Sequence, residues 1–216
     1  MADNNQPLKL IVISGPDDAE VELKVLHQMF EEGLEYFHLR KPKFSTAEMK
    51  RYLNKVDKRY LHRIIIHSHH ELAVTYKLRG VHFTQKHRKG KYWKSWFMLR
   101  YIRFRNSKAE ITVGYHTIGA LKRHNPGYNY VFLSPVFDSI SKMGYRSTFN
   151  EDSLKEALGK TEHTVIAMGG IDEDKIARAR VYGFHGVALL GSIWKATDPI
   201  TKFRRIKALC ERSGNM

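Results

Sequence analysis

Two glycine-containing segments near the end of the sequence have the composition of anion-binding loops. The run 167–172 reads AMGGID and the run 186–193 reads GVALLGSI, and each follows or contains a short apolar stretch of the strand type. Glycine lets a backbone approach a ligand closely, and the amides at the start of a helix point at bound anions. We therefore expect a phosphate site here, and its candidate residues are Gly169, Gly170, Gly191 and Ser192. The alternative is that the glycine pair only forms a tight turn.

A polar loop that precedes these glycines carries two hydroxyl groups and an amine. The run 134–142 reads SPVFDSISK and ends with Ser139, Ser141 and Lys142. Side chains two positions apart in an extended segment point to the same side, and a neighbouring ammonium group suits a carboxylate or a phosphate. The loop is therefore a candidate substrate-binding segment, with an ordinary polar loop as the alternative.

Histidines form a third group of candidates among the 12 in the chain. Those at or just after strand-like runs are His38, His67, His69 and His116. Imidazoles that converge at one end of a barrel could bind Zn²⁺ or another transition metal, although some histidines will gather by chance. We therefore expect no certain metal cofactor, and the candidate ligands, if a metal is bound, are His67, His69 and His87.

Short apolar runs rich in β-branched residues must position these groups, and they alternate with helical segments, as is typical of parallel sheets. Eight runs in 216 residues favour the α/β class with a single (β/α)8 TIM-barrel domain over 1–216 and a core over about residues 8–209. An open doubly wound sheet is the alternative. The expected strands are Leu8–Ile13, Tyr36–Leu39, Arg63–His67, Gly80–Phe83, Ile111–Tyr115, Tyr130–Ser134, Thr164–Met168 and Gly186–Leu190.

The segments between the strands have the periodicity of amphipathic helices. Asp172 is the expected N-cap of the seventh helix, and the run 125–127 (NPG) is an expected turn. The apolar face of the first helix is expected to comprise Val21, Val25, Leu26 and Met29, and that of a basic central helix Tyr92, Trp96, Leu99 and Ile102.

The chain is strongly basic, with 37 Lys and Arg against 22 Asp and Glu and a pI near 9.8. Much of the excess lies in the run 86–108, where aromatic residues alternate with cations as on surfaces that bind nucleic acid. The helical spacing favours an outer barrel helix with its cations in water, so we expect steering of phosphorylated ligands and no nucleic-acid partner. The sequence has no apolar run of membrane-spanning length and no signal-peptide pattern at its start, which predicts a cytoplasmic protein without a membrane partner.

Four segments resemble motifs of the thiamine-phosphate synthase superfamily. The run 134–142 resembles Gly-Pro-x-x-x-Thr-x-Thr-Lys, and the run 38–40 (HLR) resembles the start of Gln-x-Arg-Glu-Lys. The run 80–85 (GVHFTQ) resembles Gly-Val-His-Leu-Gly-Gln, and the run 168–171 (MGGI) resembles Ile-Gly-Gly-Ile. The resemblance implies a thiamine-pathway barrel whose glycine loops hold the phosphate of a thiazole, with Arg40 facing a second substrate, an aminopyrimidine pyrophosphate, or its pyrophosphate group. It also puts Ser139 and Ser141 on the two threonines and Lys142 on the lysine of the family loop.

The chain departs from the synthase pattern where the family would bind Mg²⁺. Carboxylates bind this hard cation, yet His67-Ser68 stands where the family has Asn-Asp, and Lys86-His87 where it has Glu-Asp. The lysine that follows the family arginine is also shifted. The resemblance thus implies Mg²⁺ only if the chain is a synthase, and we expect little synthase activity.

A related branch, the thiazole tautomerases, resembles this fold, lacks those aspartates and has a histidine at the end of the fifth strand. The run 113–117 (VGYHT) resembles the Ser-Val-His-Ser of that branch and puts His116 on the histidine. An imidazole can remove and return a proton near neutral pH, as moving a double bond around a thiazole ring requires. The expected catalytic residues are His116, Lys142 and Arg40, in a tautomerase or a divergent synthase. A non-catalytic module that binds a phosphorylated ligand or nucleic acid, and a histidine-metal barrel enzyme, remain alternatives.

Overall fold

The structure, a computed structural model, describes residues 6–15, 19–84, 92–138 and 149–212. Within these residues eight strands follow one another in chain order and close into a barrel. The strands are β1 Lys9–Ile13, β2 Tyr36–Leu39, β3 Ile64–Ile66, β4 Gly80–Phe83, β5 Glu110–Tyr115, β6 Tyr130–Leu133, β7 Val165–Met168 and β8 Gly186–Leu189. The predicted (β/α)8 class is confirmed, and the ends of every strand agree with the prediction to within one residue.

Helical segments separate the strands. The α-helices are α1 Ala19–Glu31, α2 Thr46–Lys55, α3 Leu72–Thr75, α4 Tyr92–Arg105, α5 Glu151–Lys160, α6 Ile176–Tyr182, α7 Gly191–Trp194 and α8 Pro199–Glu211. Short 3₁₀ helices cover Lys58–Arg63, Ile118–Lys122 and Glu173–Lys175. Of the helices in the described ranges, none combines the length and the apolar composition needed to cross a membrane.

Contacts along the chain group its residues into two compact units, and residues 12–113 form one of them. Here β2, β3, β4 and β5 pair side by side in parallel, with Leu39 opposite Ile66 and His82 opposite Thr112. This register fixes which side chains of neighbouring strands lie at the same height. That the whole chain forms one domain stays a prediction.

Helix α1 in this unit buries Leu26 and Met29, as predicted, but not Val21. Val21 is 63% exposed, so its predicted place on the apolar face was wrong. Glu22 is buried instead, because its carboxylate pairs with the Nζ of Lys41 at 2.9 Å and accepts a 2.6 Å hydrogen bond from the hydroxyl of Tyr52. Apolar periodicity alone could not anticipate an inward carboxylate whose partners are 19 and 30 residues away.

The basic helix α4 faces the core through Ile102, as predicted, and exposes Arg100, Arg103 and Arg105. Leu99 is half-buried. Phe97, Tyr101 and Phe104 are exposed large apolar side chains on the same helix. The side chains of residues 92–96 lie outside the described part.

Residues 1–11 and 114–216 form the other unit. Strands β6, β7 and β8 pair in parallel, and the amide of Lys9 in β1 donates to the carbonyl of His185 at 3.0 Å. Asp172 caps the 3₁₀ turn Glu173–Lys175 by accepting a hydrogen bond from the next amide, whereas Lys175 occupies the N-cap position of the following helix α6. The turn at 125–127 is also confirmed, since the side chain of Asn125 accepts from the amide of Gly127 at 2.9 Å.

Candidate active site

The glycine pair after β7 is shaped by the packing of its own backbone. Gly169 and Gly170 have φ values of 94° and 65°, in the left-handed region that favours glycine. A Cβ on Gly170 would lie 2.3 Å from the carbonyl oxygen of Asp138, and one on Gly169 would lie 3.0 Å from Pro135. Two backbone hydrogen bonds of 3.0 and 3.1 Å further join the segment after β6 to this turn. The pair therefore holds the β6 and β7 loops together, which is a structural demand separate from the expected approach of a phosphate.

The loop after β8 contains a buried hydroxyl group that makes no internal hydrogen bond. Ser192 lies at the start of α7 and is 7% exposed. Its Oγ has no hydrogen-bond partner within the described residues. Amides in the first turn of a helix also lack acceptors in their own helix. The hydroxyl of Ser192 and the amides of Gly191 and Ser192 are thus potential hydrogen-bond donors at the start of α7.

His116 follows β5 and is held in one orientation by the backbone. Its Nδ1 lies 3.0 Å from the carbonyl oxygen of Ser134, and the amide of Ser134 donates to the carbonyl of Tyr115 at 3.1 Å. Because a carbonyl oxygen only accepts, Nδ1 carries the proton, and the lone pair of the neutral ring is on Nε2. The imidazole is exposed. No residue type in the sequence signals this contact, since the partner is a main-chain carbonyl.

Arg40 follows β2 in the unit formed by residues 12–113, and its backbone is clamped to the residue after β1. The amide of Arg40 donates to the Oγ of Ser14 at 2.8 Å, and this hydroxyl donates to the carbonyl of Arg40 at 3.0 Å. The arginine residue is exposed. Its position is therefore well defined although its side chain faces solvent.

Lys41, which directly follows Arg40, lies in the protein interior. Its Nζ is buried and donates to the carbonyl of Gly15 at 2.7 Å as well as to Glu22. Burial raises the pKa of the Glu22 carboxyl, while the hydrogen bond from Tyr52 and the charge of Lys41 act in the opposite direction. Lys41 is thus an internal anchor for the chain between β2 and α2.

Three buried histidines from neighbouring strands lie together: His38 in β2, His67 just after β3 and His82 in β4. They are 0%, 8% and 6% exposed, and one ring nitrogen from each lies within 4.8 Å of the others. His38 Nδ1 and His67 Nε2 are 2.8 Å apart, and the rings of His67 and His82 stack with centroids 4.1 Å apart. Burial lowers the pKa of His38 and of His67 well below the ordinary value, and the neighbouring His82 lowers both further. The imidazoles of His38 and His67 are therefore neutral in the folded protein at physiological pH.

The candidate metal ligands predicted from the sequence do not lie together in the structure: His67 and His69 have different surroundings. His67 belongs to the buried group, whereas His69 bonds to the Thr46 hydroxyl at 3.1 Å and the Phe44 carbonyl at 2.9 Å. His82 is not among the predicted ligands because it lies inside strand β4 and not at a strand end. His87, Ser139, Ser141 and Lys142 lie outside the described residues.

The described residues do not fit Mg²⁺ at the position where the family pattern has its first aspartate. His67 and Ser68 stand there, and Mg²⁺ takes oxygen ligands, with carboxylates preferred over imidazole. Among described side chains, moreover, the one group of three or more converging His, Cys, Asp or Glu ligands consists of histidines alone. We therefore derive no catalytic step that uses Mg²⁺.

A comparison with protein families decides the relationship. A family model described as thiamine monophosphate synthase matches residues 8–193. The chain belongs to the thiamine monophosphate synthase family. This agrees with the resemblance found in the four sequence motifs.

Individual members of the thiamine monophosphate synthase family differ in how much of the chain they match. The thiamine-phosphate synthase of Vibrio campbellii is 37% identical over 71 residues, which cover 33% of this chain and 35% of that protein. That of Salinibacter ruber is 33% identical over 41% of this chain and 39% of its own length. The chain thus spans less than half of these curated relatives. The thiamine-phosphate synthase of Pediococcus pentosaceus is 20% identical over 95% of this chain and 97% of its own length.

Two solved structures match nearly the whole chain. Thiamine phosphate pyrophosphorylase from Bacteroides thetaiotaomicron is 28% identical with a TM-score of 0.76, covering 94% of this chain and 97% of its own. The Pyrococcus furiosus protein of the same name is 17% identical with a TM-score of 0.73, covering 97% of each chain, and supports the fold alone.

Proposed function

We propose that this chain is an enzyme of thiamine biosynthesis that binds a thiazole phosphate and moves a proton on it through His116. The observation that carries the proposal is the 3.0 Å hydrogen bond from His116 Nδ1 to the Ser134 carbonyl. It fixes the ring and leaves Nε2 with the lone pair that a general base needs. The reaction is an isomerisation, in which Nε2 removes a proton from one position of the thiazole and, after exchange with solvent at the exposed imidazole, returns a proton at another position.

The phosphate of this substrate is proposed to bind at the start of α7. The buried Ser192 hydroxyl has no partner among the residues described, and a phosphate oxygen would accept its hydrogen bond together with those of the first helical amides. Gly169 and Gly170 would shape the neighbouring turn. The net charge of +15 favours the approach of an anionic ligand.

A second candidate is transfer of an aminopyrimidine group from its pyrophosphate to the thiazole phosphate. The match to a thiamine phosphate pyrophosphorylase over nearly the whole chain at 28% identity supports it. In this reaction the exposed, backbone-clamped Arg40 would bind the pyrophosphate, and Ser139, Ser141 and Lys142 would contact the substrates. Because His67 and Ser68 replace the family Asn-Asp, we expect only trace synthesis of thiamine phosphate at millimolar Mg²⁺.

Substitution of His116 tests the proposed proton transfer. We expect His116→Ala to lower kcat for isomerisation of the thiazole phosphate by about 10²–10⁴-fold, because a general acid–base is lost, with little change in KM. His116→Asn should behave like His116→Ala. The measurement is incorporation of solvent deuterium into the thiazole phosphate, followed by NMR.

The control for the His116 variants is another exposed histidine, His62. His62→Ala removes an exposed imidazole from the 3₁₀ helix Lys58–Arg63 and should keep wild-type activity. Activity that survives in His116→Asn but not in His116→Ala would reassign the residue to positioning. Full activity in both variants would refute the catalytic role.

A further inference from the structure

The three buried histidines His38, His67 and His82 are not used by the proposed reaction. His38 and His82 lie within β2 and β4, and His67 directly follows β3. In the parallel pairing, Leu39 lies opposite Ile66 and Ile66 opposite Val81, and the amide of His67 donates to the carbonyl of Leu39 at 3.1 Å. Backbone hydrogen bonds therefore fix the main chain at or next to all three residues. Ligands on paired strands are held more rigidly than ligands on loops.

One ring nitrogen of the group, Nδ1 of His67, has no hydrogen-bond partner among the protein atoms described. His67 is nine-tenths buried. Its Nε2 is already engaged with Nδ1 of His38 at 2.8 Å. Whichever ring carries the proton of that bond, His67 has one buried nitrogen without a partner, which costs about 1–3 kcal/mol. Such an unpartnered buried atom is rare in native proteins, and a bound ion or water is a common reason for it.

The outer nitrogen of His82 is held by a neighbouring side chain. Its Nδ1 lies 2.9 Å from the hydroxyl of Thr112. A hydrogen bond that orients the outer nitrogen of a histidine is common around bound metals, because it directs the other ring nitrogen toward the ion.

We propose that His38, His67 and His82 form a binding site for a divalent transition-metal ion, of which Zn²⁺ fits the ligands best. Tetrahedral Zn²⁺ with nitrogens at about 2.0–2.1 Å requires ligand atoms about 3.3 Å apart. One nitrogen of each ring lies within 4.8 Å of the others, so the distances between ligand atoms must shorten by at most about 1.5 Å to reach that spacing. Imidazole nitrogens favour Zn²⁺, Co²⁺ or Ni²⁺ over Mg²⁺. The fourth position is left for water or an anionic oxygen.

The test measures metal binding directly and requires no substrate, so its outcome is independent of the proposed reaction. The full chain, without a histidine tag, is dialysed against Zn²⁺, and bound metal is measured by mass spectrometry. We expect about one ion per chain, a higher Tm with Zn²⁺, and the intense visible absorption of tetrahedral Co²⁺ after substitution.

Variants assign the site to these residues. His67→Asn and His82→Gln should lower bound Zn²⁺ to trace amounts. His69→Asn is the matched control, because His69 is two residues from His67 but bonds to Phe44 and Thr46, and it should keep the full content. If the buried variants do not fold by circular dichroism, Thr112→Val decides, since it keeps all three imidazoles and should weaken Zn²⁺ binding about 10–100-fold.

Two results would overturn the proposal. One is the absence of stoichiometric Zn²⁺ and of the Co²⁺ absorption in the wild-type chain. The other is Zn²⁺ content in a folded His82→Gln or affinity in Thr112→Val equal to that of the wild type.

Discussion

The substitution Ser192→Ala separates a ligand-binding hydroxyl from a structural one, because the two roles predict opposite effects. Ser192 is 7% exposed, and its Oγ has no partner among the residues that the structure describes. An unpartnered buried hydroxyl group destabilises the folded state, so its removal should leave the free energy of unfolding unchanged or raise it by about 1 kcal/mol. A serine that bonded to the protein would show a loss instead.

The same substitution should weaken binding of the phosphorylated ligand. A hydrogen bond to a charged group contributes about 1.5–3 kcal/mol, and each 1.4 kcal/mol is tenfold in Kd. We therefore expect Ser192→Ala to raise Kd for thiazole phosphate about 10- to 100-fold, and to change Kd for the dephosphorylated thiazole by less than about threefold.

Isothermal titration calorimetry with both ligands and urea denaturation of the ligand-free protein supply the two readouts. Ser153→Ala is the control, since Ser153 also lies in the first turn of a helix but is exposed. Equal losses for the two ligands, or a marked loss of stability without ligand, would refute the assignment of Ser192 to a phosphate.

Three further predictions concern stability and are measured by urea or thermal denaturation. Gly170→Ala should destabilise the protein by about 1–3 kcal/mol from the left-handed backbone alone, with a further loss from the clash with the β6 loop; wild-type stability would contradict the packing role. Lys41→Ala should cost about 3–5 kcal/mol because it leaves Glu22 buried without its cation, and a change below about 1 kcal/mol would show that the pair is dispensable. In metal-free protein, the free energy of unfolding should fall as the pH drops below 6.5, because the lowered pKa values of His38 and His67 let the unfolded chain bind protons that the folded chain does not. The loss should reach up to about 1.4 kcal/mol per pH unit for each histidine, and the stability should be complete above pH 6.5. A free energy of unfolding that does not change between about pH 7 and 5 would contradict this.

The strands were predictable because their apolar, β-branched runs alternate with helical segments, and both features are local in sequence. The buried group of histidines was not predictable in the same way. His82 lies inside β4, and only the register of β2, β3 and β4 brings it to His38 and His67. The inward position of Glu22 likewise depends on partners that are far away in the chain.

For the loop residues too, the sequence predicts the position along the chain but not the tertiary contacts. Glycine at 169 and 170 was expected from composition, but its contact with the backbone after β6 depends on tertiary structure. The position of His116 after β5 follows from the strand prediction, whereas the carbonyl that orients it does not. A hydrogen bond to a main-chain carbonyl cannot be predicted from the residue type of its partner, because every residue has that carbonyl.

The most direct test of the proposed function is turnover of thiazole phosphate by the purified wild-type chain, with and without aminopyrimidine pyrophosphate and Mg²⁺. We expect isomerisation, with incorporation of solvent deuterium, that does not depend on Mg²⁺, and only trace thiamine phosphate when all components are present. Robust Mg²⁺-dependent synthesis without isomerisation would establish the transferase in its place. Tight binding of thiazole phosphate without any turnover would contradict an enzymatic role and favour a binding module.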